Sequence, residues 1–264
     1  MNLFAAHKDR TTTNNEMNFA PDPQFTLSDK INQLIDKALE DENSKQVARN
    51  YLGGSRLGVE CLRALGYEWH KVPVDGDGVA FRGKTIRRFR LGHLHEDETA
   101  AWLRKAGFDL RTHNKEGGQF GFSTGSEGKK IAGHLDGVIV EAPAGLKEYP
   151  HPLPWLWEHK IMKSSKWKEA ASKGIKVSHP VYWAQLHIYM AYMELPAALF
   201  TALNSDTSEL MFRLYPYDQQ VAQWASDRGV QVVLSNNPEE LPRITRDPSD
   251  FKCKWCSWKG RCWK

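Results

Sequence analysis

The sequence predicts a mixed α/β fold in which a central sheet is flanked by helices. A helical segment is followed by a meander of strand-like segments with glycine turns between them. A strongly apolar segment at 155–162 then predicts a central strand, and a long apolar helix at 179–193 follows it. Strands and helices mixed in this way are typical of one layered α/β domain.

The N-terminal part of the chain predicts a tail followed by helices. Residues 1–25 are polar, with a run rich in threonine and asparagine, which favours a flexible tail. Apolar residues at helical spacing follow the capping sequence from Thr26 to Asp29 and predict the first helix. A second, short helix is expected to begin at Ser55 and to end at Gly66, because serine caps helices and glycine ends them.

The middle of the chain predicts one more helix and then the strands. The basic run from Arg82 to Arg90 is interpreted either as a solvated surface or as a contact for phosphate groups. The next helix is expected to begin at Leu91 and to end at Gly107. The predicted strands span 108–113, 118–123, 130–141, 155–162, 197–204 and 208–215. The remaining helices are predicted at 179–193 and 217–234.

Length and composition predict one soluble domain with an appendage. We expect a tail at 1–25, a main domain at 26–240 and a C-terminal segment at 241–264 that carries most of the cysteines. The 41% hydrophobic and 26% charged residues are typical of soluble globular proteins. A stretch of about 18 apolar residues is absent from the sequence, and so is the apolar core of a signal peptide, which predicts a cytoplasmic protein without membrane contact.

The central predicted strand carries an unusual pair of charges. Its alternation puts Glu158 and Lys160 on one face and His159 on the other. Opposite charges on one face of a buried strand are rare unless they pair or function. Asp136 interrupts the preceding apolar strand, and two acids with one lysine can hold a divalent metal and a water for phosphodiester hydrolysis. Glu-x-Lys alone is common, and a surface ion pair is the alternative interpretation.

A group of lysines directly follows the central strand. Five lysines fall within fourteen residues, which predicts either a track for a nucleic-acid backbone or an exposed amphipathic helix. These residues are Lys163, Lys166, Lys168, Lys173 and Lys176. The net charge of +4 is too small to decide between the two interpretations.

The cysteine pattern predicts a metal centre. Cys253, Cys256 and Cys262 form C-x2-C-x5-C, one ligand short of a tetrahedral site, and the remaining cysteine is Cys61. In a reducing compartment such crowding favours a metal or an iron–sulfur cluster over disulfides. Four thiolates suit zinc or a 4Fe–4S cluster, whereas the alternative for Cys61 alone is a small buried apolar residue.

Several motifs in order resemble the RecB-like branch of the PD-(D/E)XK nucleases, from about Tyr51 to Lys264. The match is to the four-cysteine subgroup, which includes AddB-type nuclease domains and CRISPR-associated RecB-like exonucleases; phage recombination exonucleases share the core. The motifs are Gly92 leading to His95 and Glu96, Gly133-His-Leu-Asp136, Glu158-His159-Lys160, Gln185-x-x-x-Tyr189, and the four cysteines. The resemblance implies a restriction-endonuclease-like α/β core with an iron–sulfur C-terminal appendage.

The resemblance also implies residue roles. Asp136 and Glu158, with Glu96 or His95 and the backbone carbonyl of His159, would hold one or two Mg²⁺ or Mn²⁺ ions. Lys160 would orient the attacking water, help to deprotonate it and stabilise the charge on the phosphate, and Gln185 and Tyr189 would position the DNA strand. The candidate DNA contacts are Lys163, Lys166, Lys168 and Arg63. The cluster would be 4Fe–4S, with zinc as the alternative.

The predicted function is a metal-dependent DNA nuclease, acting as an exonuclease in recombination, repair or phage DNA processing. The chain lacks helicase motifs, so it acts alone or with a partner such as a single-strand annealing protein or a helicase; a phage-encoded protein would work in the host cytoplasm. The alternatives are a non-catalytic DNA-binding or assembly protein with a metal-stabilised C-terminal segment, and a redox protein. Cleavage polarity, exonuclease versus endonuclease action, strand preference, oligomeric state and the identity of a partner stay open.

Overall fold

The computed structural model describes residues 23–47, 49–76, 81–126, 128–146, 149 and 151–264. The helices are α1 (Pro23–Ser44), α2 (Leu62–Trp69), α3 (Gly83–Lys105), α4 (Ser164–Lys173), α5 (Ile175–Ser178), α6 (Pro180–Tyr192), α7 (Gln219–Leu234), α8 (Phe251–Lys254) and α9 (Lys259–Cys262). The strands are β1 (Tyr51–Gly53), β2 (Asp109–Arg111), β3 (Gly121–Thr124), β4 (Lys130–His134), β5 (Gly137–Glu141), β6 (Trp155–Met162), β7 (Ala197–Asn204) and β8 (Leu210–Pro216). Within these ranges, no helix is both long enough and apolar enough to cross a membrane.

The strands form two mixed sheets, so the predicted mixed α/β class is confirmed. The larger sheet has the order β2-β5-β6-β7-β8, and its β6–β7 pair is parallel while its other pairs are antiparallel. The chain crosses from β6 to β7 through α4, α5 and α6, as parallel neighbours require. The smaller sheet has the order β1-β4-β3.

Strand β6 lies at the centre of the larger sheet and contributes to both apolar cores. Trp155 and Trp157 belong to a core that includes Ala100 and Leu103 of α3. Leu156 faces the opposite way, into the main core with residues of α6 and α7. Helix α3 therefore covers one face of the sheet, and α6 covers the other. Because side chains alternate along a strand, Glu158 and Lys160 face the same side as Leu156.

The predicted strand 130–141 is two strands that belong to different sheets. Strand β4 ends at His134 in the smaller sheet, and β5 begins at Gly137 in the larger one. At the crossing point Leu135 is fully buried and its backbone N–H donates to Phe120 O. Asp136 thus lies between two strands, where its side chain can reach the neighbouring β6, and its predicted place within a strand is wrong.

The short helix predicted from Ser55 to Gly66 is also wrong. The chain forms a 3-10 turn at Gly54–Arg56, and α2 begins after Cys61, which is its N-terminal cap residue. Gly66 lies inside α2. A Cβ at this position would lie only 2.4 Å from Leu241 Cδ1. The glycine therefore permits close packing and does not end the helix.

Two helix starts differ from those that the sequence predicts. Helix α1 begins at Pro23, so residues 23–25 are helical, and residues 1–22 of the predicted tail lie outside the described residues. Helix α3 begins at Gly83 and includes most of the basic run assigned to its N-terminal side. A Cβ at Gly83 would lie 2.4 Å from Asp36 Cα, so this glycine lets α1 pack against α3. Gly107, with φ of 94°, follows the end of α3 as predicted.

The C-terminal segment packs against α2. The Arg63 guanidinium donates to Leu241 O and Glu239 O, both at 2.7 Å. The Tyr67 ring stacks on Trp258 with centroids 5.8 Å apart. Leu241 belongs to the main core. The division of the chain at 240 stays a prediction, but these contacts join the two sides of it.

Candidate active site

Glu158 is the buried centre of the candidate site. Its side chain is 1% exposed, and its Oε1 accepts from the Lys160 ammonium and from Gln185 Nε2, the latter at 2.6 Å. Its other oxygen, Oε2, is buried without a hydrogen-bond partner among the described residues. Buried carboxylate oxygens are normally satisfied, so this oxygen is suited to a further cationic partner.

Two more acids lie beside Glu158. Asp136 Oδ2 accepts from the backbone N–H of His159 at 2.8 Å, which fixes Asp136 against β6 next to Glu158. Burial and the Asp136 carboxylate raise the pKa of Glu96, on α3, to about 7. The same two causes raise the pKa of Glu158 to about 8, and burial also raises the pKa of Asp136. Three acids thus share one small region.

Lys160 is the cation of this group. Burial opposes its charge, but the carboxylates of Glu158 and Asp136 outweigh burial and raise the pKa of Lys160. The side chain is therefore an ammonium at neutral pH. It acts as a hydrogen-bond donor and a positive charge, and its predicted role in removing a proton from water stays a prediction.

The donor set fits a divalent metal ion. Three carboxylates face one ammonium, and an oxygen-only set of this kind is what Mg²⁺ and Mn²⁺ prefer. Among the residues that the structure describes, no three His, Cys, Asp or Glu side chains are already arranged to hold a metal ion. The Lys160 ammonium instead pairs with Glu158 Oε1, so metal binding requires these side chains to adjust.

The structure separates the two candidates for the first acidic motif. The Glu96 side chain is 22% exposed and lies near Asp136 and Lys160, both of which act on its pKa. His95 lies about 100° around the helix axis from Glu96, one turn before Thr99, and it acts on the pKa of His159. Of the two residues, Glu96 therefore has the side chain that lies near Asp136 and Lys160, and His95 lies near His159.

For the metal-dependent DNA cleavage that the sequence predicts, Glu96→Gln is expected to reduce the rate by about 100-fold, as loss of a transition-state contact typically does. His95→Gln is the matched neighbour variant and is expected to change the rate by less than about 10-fold, since His95 does not join the acids. Initial rates over a range of Mg²⁺ and Mn²⁺ concentrations measure both. Equal losses in the two variants would contradict the assignment.

His159 links α3 to the sheet. Its Nδ1 lies 2.8 Å from Thr201 Oγ1 on β7, and its Nε2 lies 3.4 Å from Thr99 Oγ1 on α3. Burial lowers the pKa of His159 to about 3, so the ring is neutral. Thr99 lies three residues after Glu96, and the ring therefore helps to hold the helix that carries this acid.

The residues of the predicted Gln-x-x-x-Tyr motif contact the site from α6. Gln185 is 6% exposed and uses its amide to orient Glu158. Tyr189 is 3% exposed and fills the space above Gly133, where a Cβ would lie 2.7 Å from Tyr189 Cε1. The spacing of Gly133 and Asp136 thus has a packing reason: only glycine admits the tyrosine ring beside the acid.

The predicted DNA contacts differ in availability. Lys166 pairs with Glu169 at 2.9 Å, and Lys173 shares the same acid. Lys163 and Lys168 are exposed and form no ion pair with a described residue. Arg63 uses its guanidinium on the backbone of the C-terminal segment and is therefore a structural residue in this fold.

The aromatic residues nearest the acids in sequence are not available to a ligand. Trp155 and Trp157 are 4% and 0% exposed, so both belong to the apolar core and neither ring can stack on a base. The sequence pattern did not identify Phe81 and Phe89 as functional, although they are 45% and 51% exposed. The only signal was the position of Phe89 within a run of arginines.

The four cysteines come together far from the acids in sequence. Cys61 at the start of α2 lines one small cavity with Cys253, Cys256 and Cys262, and the rings of Tyr67 and Trp263 are also part of its wall. All four are free thiols. Burial raises the pKa of the Cys256 thiol, and the other three cysteines act in the same direction. Among the residues that the structure describes, no three of these thiols are already arranged as metal ligands.

Comparisons with known proteins give a likeness of fold. No protein-family model matches the sequence, and no curated protein matches it significantly. The crystal structure of SSO0001 matches over 89% of this chain and 97% of its own, with a TM-score of 0.50 and 16% identity. A crystal structure of LHK-Exo in complex with dAMP covers 70% of this chain and 86% of its own, with a TM-score of 0.43 and 11% identity.

A second structure of LHK-Exo, an alkaline exonuclease from Laribacter hongkongensis, covers 69% of this chain and 88% of its own. Its TM-score is 0.42, with 12% identity. At these identities the chain shares a mixed α/β fold with SSO0001, and we draw no inference from the looser likeness to LHK-Exo.

Proposed function

We propose that this chain is a divalent-metal-dependent deoxyribonuclease that acts as an exonuclease. One observation supports the proposal most strongly: buried Glu158 has one carboxylate oxygen without a partner among the described residues, and it lies beside Asp136 and pairs with the Lys160 ammonium. A buried group of acids around one lysine is unfavourable for a purely structural core, and it is suited to a metal ion and a phosphate. The ordered motifs that resemble the PD-(D/E)XK nucleases support the same conclusion.

Asp136, Glu158, Glu96 and the His159 carbonyl are the groups that would hold Mg²⁺ or Mn²⁺. When bound, the ion supplies a Lewis acid and a water of lowered pKa. The Lys160 ammonium donates to the phosphate oxygens, where negative charge grows in the transition state. Gln185 keeps Glu158 in its orientation, and the neutral His159 ring keeps α3 in register with the sheet.

DNA is the proposed substrate. Lys163 and Lys168 are free to neutralise phosphates beside the site, because neither is used in an ion pair with a described residue. The predicted role of Lys166 as a contact would require it to leave Glu169. A helicase or annealing partner stays a prediction.

We also propose that the four cysteines hold a 4Fe–4S cluster, with zinc as the alternative. Their shared cavity supports a common ligand, and four thiolates without a fifth cysteine match the number that a cubane needs. The cluster would join α2 to the C-terminal segment and would have a structural role, because no cysteine is among the acids.

Release of labelled nucleotides from the ends of DNA tests the proposal. Cleavage is expected with Mg²⁺ or Mn²⁺ and none is expected in excess EDTA. Independently of activity, Mn²⁺ at 100 times its Kd should stabilise the fold by about 2.7 kcal/mol, seen as a higher Tm. The matched control is Asp136→Asn, which should lose both effects. Tight DNA binding without cleavage in either metal would instead support the non-catalytic DNA-binding alternative.

A further inference from the structure

Helix α3 carries one continuous face that leads to the acidic site. At 100° per residue, Phe89 and His93 lie within about 60° of Glu96 around the helix axis. Arg82, four turns before Glu96, lies on the same side. His93 Nδ1 is 3.6 Å from Glu96 Oε2, and His93 is close enough to Asp136 to act on the pKa of that carboxyl. The face thus ends at the acids.

This face is covered at one end of the helix and open at the other. Thr99, Ala100 and Leu103 are buried against the larger sheet. The His93 side chain is 79% exposed, and Phe89 is 51% exposed. The N-terminal half of α3 therefore extends past the sheet, and the side that packs on the sheet elsewhere is open beside the site.

Two aromatic rings form the apolar part of the open face. Phe81 and Phe89 meet edge to face with centroids 5.3 Å apart, and both are about half exposed. An exposed aromatic pair beside a phosphate-binding site offers ring faces on which unpaired bases can stack. Bases within a duplex hide their faces, so this feature favours a single strand.

The charges around the rings are suited to phosphates. Helix α1 packs on the other side of α3 and pairs with two of its arginines, Asp36 with Arg87 and Glu42 with Arg90. The remaining basic side chains at this end form no ion pair with a described residue, and each is exposed. They are Arg82, Lys84 and Arg88.

Gly92 leaves room between the rings and the acids. A Cβ at this position would meet nothing within 4 Å, so packing does not require glycine there. Glycine in a helix interior is about 1 kcal/mol less favourable than alanine. Its position between Phe89 and Glu96, which are about 10 Å apart along the axis, leaves clearance where a backbone would pass.

We propose that the open face of α3, with Phe89, Gly92 and His93, and the two residues before the helix, Phe81 and Arg82, bind an unpaired DNA strand and lead it to the acidic site. The proposal rests on the proposed nuclease function. It adds that the DNA is single-stranded and that it reaches the acids along α3. One base stacks on Phe89, and Arg82 and Arg88 neutralise phosphates of the strand. The strand then passes over Gly92 to reach Glu96 and Asp136.

Binding measured in EDTA separates this proposal from catalysis. Fluorescence anisotropy with a labelled single strand is expected to show at least about 10-fold weaker binding for Phe89→Ala, given the usual contribution of one stacked base. The matched control is Leu94→Ala, which removes an apolar side chain that is 61% exposed on the opposite side of α3. It should bind as wild type does. Circular dichroism confirms that each variant is folded.

The outcomes are distinct for the two proposals. If Phe89→Ala and Phe81→Ala both bind the single strand as wild type does, the α3 face is not the binding surface, whether or not the protein cuts DNA. Equal losses for a single strand and a blunt duplex would also overturn the proposal, because stacking requires unpaired bases. If wild type binds as expected but never cuts, the nuclease function fails while the binding surface stands.

Discussion

Replacement of Lys160 by methionine is expected to lower the rate of metal-dependent DNA cleavage by about 100- to 1000-fold, the usual effect of losing one transition-state donor. The ammonium pairs with Glu158, and the carboxylates of Glu158 and Asp136 raise its pKa, so it is charged throughout the neutral range. Methionine has a similar length and is apolar, and it removes the charge while retaining most of the packing. Single-turnover rates with end-labelled DNA at saturating Mn²⁺ measure the effect.

The fold of this variant needs its own control. Removing one partner of a buried ion pair can destabilise a protein by about 3–5 kcal/mol, and Glu158 is 1% exposed. Thermal unfolding therefore accompanies the assay, and Asp136→Asn provides a second variant that retains the shape of the side chain. Lys37→Met is the matched surface control and should cut at the wild-type rate, because Lys37 is exposed on α1 and pairs only with Asp41 among the described residues. A folded Lys160→Met protein that cuts at the wild-type rate would remove Lys160 from the mechanism.

The central strand was predictable because its pattern is local. Alternation along β6 places Glu158 and Lys160 on one face and His159 on the other, and the structure has the strand at the predicted residues. Burial on both faces makes β6 nearly continuous in apolar residues, so the charged positions stand out. The contact between Gln185 and Glu158 was not predictable from the same pattern, because it depends on how α6 packs on the sheet.

The elements that were predicted wrongly depend on contacts between distant segments. The segment 130–141 has one strand-like pattern, but β1 and β3 pair with its first half and β6 with its second. Gly66 resembles a helix end, yet it is a point of contact with Leu241, about 175 residues later. Phe89 is likewise exposed because the sheet does not extend beneath the N-terminal half of α3. A local sequence pattern cannot predict where the sheet ends.

Substitution of any one of the four cysteines by serine is expected to reduce stability and to remove the cluster. A metal centre that joins Cys61 to Cys253 closes a loop of about 190 residues, and loop closure on this scale is worth about 5 kcal/mol in the chain-entropy estimate used for disulfides. The same ligand would hold α2 against a C-terminal segment that is also held by contacts of Arg63, Trp258 and Leu241. Thermal unfolding of anaerobically purified protein should therefore show a clearly lower Tm for Cys253→Ser.

Iron analysis and absorption spectra decide the nature of the centre. A brown protein with about four irons per chain is expected, and each serine variant should lose the colour. Ser257→Ala is the matched control within the same segment, since its side chain is not a thiol and it should retain both iron and Tm. Cleavage should fall only as far as the fold is weakened, because Glu158 and Asp136 lie outside the cysteine cavity. One zinc per chain and no iron would show that the centre is a zinc site and not an iron–sulfur cluster. A disulfide between any two of these cysteines in the native protein would contradict both metal centres.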